Sequence, residues 1–104
     1  MSSSERHGQR LQALELANVV RSARAQLKRE IAAGVVTVAE VLGDPPPEAE
    51  GCSLRELVAC QRGWGRRRCT SFLAAYEIGE RKLIRELTTC QRDLLAAELE
   101  SLNR

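Results

Sequence analysis

Cys60-Gln61-Arg62-Gly63-Trp64-Gly65-Arg66-Arg67-Arg68-Cys69 is the stretch that decides how this chain folds. Ahead of it, Ser53-Leu54-Arg55-Glu56 has the hydroxyl-then-carboxylate spacing of a capping box, and Leu54, Leu57 and Val58 give the helix it opens an apolar face through Cys60. Two glycines within three residues break that helix. Arg66 through Tyr76 reads as the next one, with Phe72, Leu73 and Tyr76 facing inward. A helix, a glycine turn and a second helix bring free backbone amides and the positive end of a helix dipole to one exposed spot, which favours an anion. Glycine lets a phosphate approach the main chain closely and tolerates positive φ. Arg62, Arg66, Arg67 and Arg68 add attraction and sequence-independent phosphate contacts. Together these features point to nucleic acid, although a Gly-x-Gly between helices also serves as a plain tight turn. Trp64 has two readings: a ring packed under the neighbouring helix, or an apolar wedge facing a base step.

Outward from this turn the pattern is helical on both sides. Leu16, Val20, Ala23, Leu27 and Ile31 recur at three- and four-residue steps, which predicts a long amphipathic helix over 11–33 ended by Gly34. Residues 1–10 lie ahead of the periodicity and are expected as a flexible tail. Arg21, Arg24 and Lys28 form a second stripe beside the apolar one, either a contact for a polyanion or a solvated face. Thr37-Val38-Ala39-Glu40 is a capping box for a short helix through Leu42, which Gly43-Asp44-Pro45-Pro46-Pro47 stops. An acidic exposed loop is expected from there to Gly51. Beyond the glycine turn, 77–80 reads as a turn, 81–87 as a short helix, and Thr88-Thr89-Cys90-Gln91 as the start of a last helix to about Leu102. No strand-like alternation of useful length appears. The fold class is therefore all-α, a single domain over 11–104 divided into the long basic helix (11–33), a short helix with a Pro-rich acidic loop (37–51) and the region around the glycine turn (53–102).

A chain of 104 residues is one domain, too small for two independent cores. Aromatics make up 3%, so Leu, Val, Ile and Ala must build the core and a sandwich or barrel is disfavoured. No run approaches the ~18 apolar residues of a membrane span, and Met1-Ser2-Ser3-Ser4-Glu5-Arg6 lacks the layout of a signal peptide, so a soluble, cytoplasmic protein without membrane contact is expected. The net charge of +2 is segregated: +3 over 1–39, −4 over 40–56, +5 over 57–85 and −2 over 86–104. A basic face meeting a polyanion fits this pattern, and so does chance clustering of solvated charges. Cys52, Cys60, Cys69 and Cys90, separated by 8, 9 and 21 residues, lack the close pairs of a zinc site, and the one histidine, His7, falls in the expected tail. Neither a metal nor a cofactor is expected, and Cys60 and Cys69 read as small buried side chains. An enzyme with a small-molecule substrate is not expected either, because no base is placed beside a thiol and no carboxylate pair has a recognisable setting.

The order of a long basic helix, a short capped helix, a loop, then helix, glycine turn, helix, turn and helix resembles the actinobacterial integration host factor family from about Leu14 to Leu99. The resemblance is carried by Arg24-Ala25 and Lys28 in the long helix, Glu40-Val41, Leu54 to Leu57, Gly63-x-Gly65-Arg66-x-Arg68, Ile78, Lys82 with Arg85, and Gln91. It implies a nucleoid-associated architectural protein of double-stranded DNA, with a helix-two-turns-helix domain behind the long N-terminal helix. The long helix would approach one groove while the helix-two-turns-helix domain grips the backbone, bending or compacting DNA with little sequence demand. The expected DNA-binding residues are Arg21, Arg24, Lys28, Arg62, Gly63, Trp64, Gly65, Arg66, Arg67, Arg68, Lys82 and Arg85. Family members also assist phage integrases, which makes a recombinase a second expected partner. This chain has Arg62 and Trp64 where the family usually has proline and an aliphatic residue, Cys69 where it has alanine, and Lys82-Leu83 where it has two arginines. Two other classes stay open, a protein-interaction or regulatory helical module and an RNA-binding helix-turn domain.

Overall fold

The computed structural model describes residues 3–102, with side chains from residue 13 onward. It contains α1 (Ser3–Ala33), α2 (Val38–Gly43), α3 (Pro47–Glu50), α4 (Leu54–Cys60), α5 (Arg66–Ala75), a 3-10 turn at Ile84–Glu86, and α6 (Thr89–Leu102). Among the described residues there is no strand, and one isolated bridge pairs Ser53 with Leu83. The fold class is the all-α one expected.

Side-chain caps set three of the helix starts. Thr37 accepts from the Glu40 amide at 3.1 Å while the Glu40 carboxylate reaches back to the Thr37 amide, so the reciprocal box that opens α2 is complete. The Ser53 hydroxyl accepts from the Glu56 amide at 3.1 Å and opens α4. Thr88 and Gln91 exchange the same pair of bonds at 3.1 and 2.9 Å ahead of α6.

Three boundaries differ from expectation. The helix begins at Ser3 rather than Leu11, so residues 3–10 continue α1 instead of forming a tail; Met1 and Ser2 lie outside the described residues. Glu5, Arg6, Gln9 and Arg10 are good helix formers, and extending an existing helix avoids the cost of a new nucleus. The acidic loop is not wholly exposed. Pro47 starts the single turn α3, which rests against α1 and buries Ala49 completely. Finally, 81–87 forms only a 3-10 turn. The amide of Leu54 bonds to the Lys82 carbonyl at 3.0 Å and the amide of Ile84 to the Cys52 carbonyl at 2.9 Å, so this stretch is tied to the segment before α4 rather than coiled on itself.

The core joins Val38 and Leu42 of α2, Leu54, Leu57 and Val58 of α4, Leu73 of α5, Ile84, and Leu95 and Leu99 of α6. α2 packs chiefly on α6, while α1 lies on α3 and α4. The apolar seam of α1 is used only in part: Leu27 and Ile31 are buried, but Leu16 and Val20, expected on the same inward face, are 68% and 40% exposed. The N-terminal half of α1 runs past the body, which gives the molecule its 57 Å long dimension against 27 and 23 Å.

Candidate nucleic-acid interface

The turn between α4 and α5 combines two glycines with different duties. Gly63 has φ +82°, in the left-handed region that side-chain-bearing residues rarely enter. Gly65 has φ −78° with open space where a Cβ would stand, so nothing inside the protein requires glycine there. It is the N-cap of α5 and supplies no capping side chain, and the first turn of α5 contains no acidic residue. The amides at the start of this helix are therefore left without side-chain partners beside Arg66, Arg67 and Arg68, all exposed. α2, α4 and α6, by contrast, are each capped by a hydroxyl.

Trp64 packs inward, the first of its two readings. It is 6% exposed, meets Phe72 edge-on at 5.5 Å, and Phe72 in turn meets Tyr76 at 5.1 Å. Its placement as a DNA-facing residue is thereby corrected, because the ring is covered. It acts on the surface indirectly. The Arg68 guanidinium lies 4.1 Å from the Trp64 ring centroid, a cation–π stack that fixes one of the three arginines in place.

The basic stripe of α1 is spread over different duties. Arg21 is exposed. Arg24 is half-buried, its Nε donates to the Glu48 carbonyl at 3.2 Å, and its guanidinium fills the space a Cβ on Gly51 would need. Lys28 pairs with Glu56 of α4 at 3.4 Å. The structure thus brings Arg24 and Lys28 onto α3 and α4 rather than onto an open face. Sequence spacing showed them side by side with Arg21 but carried no sign of partners 24 and 28 residues away. Arg62 is exposed beside a recess formed with the end of α1, and Arg85 shares another recess with Asp44, Glu50 and Arg92. Lys82 is half-buried. Sequence reasoning passed over Arg55, which lies in the acidic segment 40–56 and faces Glu80 at 3.8 Å; its charge and that of Arg68 partly offset the upward push of burial on the Cys69 thiol.

Burial pushes the Cys52, Cys60 and Cys69 thiols up from the usual thiol range. Cys52 and Cys69 are buried as small apolar side chains, whereas Cys60 is only half-buried and donates to the Glu56 carbonyl. Desolvation and the neighbouring Glu98 carboxylate push the Tyr76 phenol up as well. Among the described residues no three His, Cys, Asp or Glu side chains gather as a metal site, and no helix is long and apolar enough to cross a membrane.

The geometry defines a class: an all-helical protein in which a long helix carries a helix–glycine turn–helix with an uncapped, arginine-rich helix start. Among solved structures the chain is similar to sIHF bound to an 8 bp palindromic DNA, with a TM-score of 0.71 and 23% sequence identity, over 82% of this chain and 98% of that one. The fold is thus the integration-host-factor-like one that the element order resembles. No family model and no curated protein matches the chain.

Proposed function

We propose that this protein is an architectural binder of double-stranded DNA that holds the phosphate backbone with low sequence specificity and bends or compacts the duplex. The observation that carries this reading is the open start of α5, where uncapped amides, a glycine not required by the fold and three exposed arginines coincide. The DNA in the sIHF structure supports it, since that protein shares this fold. In this reading Arg62, Gly63, Gly65, Arg66, Arg67 and Arg68 form the main grip, Arg21 adds a contact from α1, and Lys82 with Arg85 flank it. Arg24 and Lys28 serve the fold first. Trp64 supports Arg68 from below. The protein would work at the nucleoid and assist site-specific recombination, with a phage integrase or another recombinase as its protein partner.

The test is the salt dependence of binding to a random duplex, followed by fluorescence anisotropy. Replacing Arg66, Arg67 and Arg68 together by Ala should weaken binding about equally across sequences and lower the slope of log K against log salt by about two to three units, at ~0.9 per phosphate contact. An unchanged slope would refute the assignment. One observation favours a protein-interaction role instead, the exposed Leu16, Val19 and Val20 on α1. A wild-type protein that ignores duplex at low salt would favour that reading.

A further inference from the structure

Between the start of α4 and the turn that leads into the 3-10 segment lies a recess of about 360 Å³ lined by Ser53, Arg55, Glu56, Glu80, Arg81 and Leu83. Its chemistry is unbalanced at one atom. The Nε of Arg55 is shut off from solvent and makes no hydrogen bond. Its nearest acid, Glu80, stands at 3.8 Å, too far for a hydrogen bond, on a side chain that is 65% exposed. A guanidinium N–H shut off from solvent is costly to leave without an acceptor. Glu56 is already held by Lys28, so Glu80 is the one lining carboxylate without a closer cation. Arg81 is exposed at the same recess, and Ser53 accepts from the Glu56 amide while its hydroxyl hydrogen stays available to donate.

We propose that this recess is a phosphate-binding notch, in which Arg55 and Arg81 take the oxygens of one phosphate group and Glu80 holds the place of that anion until it arrives. A planar guanidinium suits two phosphate oxygens better than one distant carboxylate. Glu80 leaves easily because its own side chain is largely exposed and its carboxylate stands beyond hydrogen-bond distance of Arg55. A phosphate of the DNA backbone is taken as the source. That choice of source rests on the DNA-binding reading above; the notch itself does not.

The experiment compares the wild type with Arg55→Gln, Arg81→Gln, Glu80→Gln and the Arg55→Gln/Glu80→Gln pair, with folding of each followed by thermal unfolding. In the first arm, random duplex is titrated over a range of salt. Glu80→Gln, an exposed change that leaves the fold intact, should tighten binding severalfold. Arg55→Gln should weaken it and lower the salt slope by about one unit. The gain from Glu80→Gln should vanish when Arg55 is also replaced. In the second arm, inorganic phosphate is titrated while the Arg55 Nε–H resonance is followed by NMR, and its shift should saturate at lower phosphate in Glu80→Gln. A response in the first arm supports the notch with DNA as the source. A response to inorganic phosphate alone supports the notch with free phosphate as the source, and if the wild type also ignores duplex, the DNA reading fails while the notch stands. Silence in both arms, or an equal gain from Glu80→Gln with and without Arg55, overturns the proposal.

Discussion

Removing the Arg24 side chain should loosen the protein before it weakens any contact with DNA. Arg24→Ala takes a charged donor from the Glu48 carbonyl and empties the space above Gly51, where the guanidinium ties α1 to the end of α3. The carbonyl keeps one weaker donor, the Cys52 thiol at 3.6 Å. A hydrogen bond to a charged group contributes ~1.5–3 kcal/mol, and partial exposure with the remaining thiol brings the expected loss to about 1–2 kcal/mol. At roughly 4–8 °C per kcal/mol for a domain near this size, the melting temperature should fall by about 4 °C or more. Lys28→Ala is the control. Its ion pair joins side chains that are 40% and 52% exposed, so its loss should cost at most ~1 kcal/mol. Arg24→Lys keeps the charge but not the planar head over Gly51, and should melt close to the alanine variant. The assay pairs thermal unfolding by circular dichroism with duplex anisotropy on the same samples. If Arg24→Ala melts like the wild type and loses severalfold in affinity, the guanidinium belongs to the DNA contact and the reasoning is wrong.

Gly65→Ser should leave the melting temperature equal or slightly raised, because a serine N-cap suits a helix start at φ −78°, yet weaken duplex binding by occupying an amide meant for phosphate; unchanged affinity would contradict an anion at this turn. The buried thiols have raised pKa values in the folded protein, so their contribution to stability is intact below the ordinary thiol value of 9.0 and is lost as pH climbs past it, when the unfolded chain ionises first. Melting temperature should therefore drop as pH rises above about 9, less so in Cys69→Ala, and an equal drop in both would show that Cys69 takes no part. Energy transfer between dyes at the ends of a duplex of about 20–30 base pairs should rise on saturation, since bending by about 40–90° costs roughly 1–6 kcal/mol, within reach of added phosphate contacts. A constant end-to-end distance would leave a binder of straight duplex.

What could be read from sequence was local. The hydroxyls of Thr37, Ser53 and Thr88 announce their helices because a cap and its target lie three residues apart. Gly63-Trp64-Gly65 announces a turn for the same reason. The order of elements was legible too, and the fold it implies is the one shared with a structure at 23% sequence identity. What failed to appear in sequence is tertiary. Ile84 and Leu87, three residues apart, suit an α-helix and a 3-10 turn equally, and the choice is made by backbone bonds to Cys52 and from Leu54. Arg24 and Arg21 look alike in a helical projection, yet one meets a carbonyl of α3 and the other meets water. Trp64 had two readings because its partner, Phe72, lies on the next helix and the covering surface exists only once α5 has docked.

These tertiary choices divide α1 into two halves with different consequences for the whole molecule. The C-terminal half is anchored three times, by Leu27 and Ile31 in the core, by Arg24 on α3 and by Lys28 on α4. Arg24, used in this way, is unavailable to a ligand without breaking the anchor, so the freer charge of the helix lies toward its N-terminus. Arg21 is the first exposed cation beyond the anchored zone, and it sits where Val20 and Leu16 have already lost their cover. A helix about 46 Å long, at ~1.5 Å per residue, that is fixed at one end behaves as a lever whose outer part can meet a surface the body does not touch. If that surface is DNA already held at the start of α5, contact with the lever depends on the path of the duplex, and the arginine at position 21 reports it: Arg21→Ala would then reduce bending more than it reduces affinity.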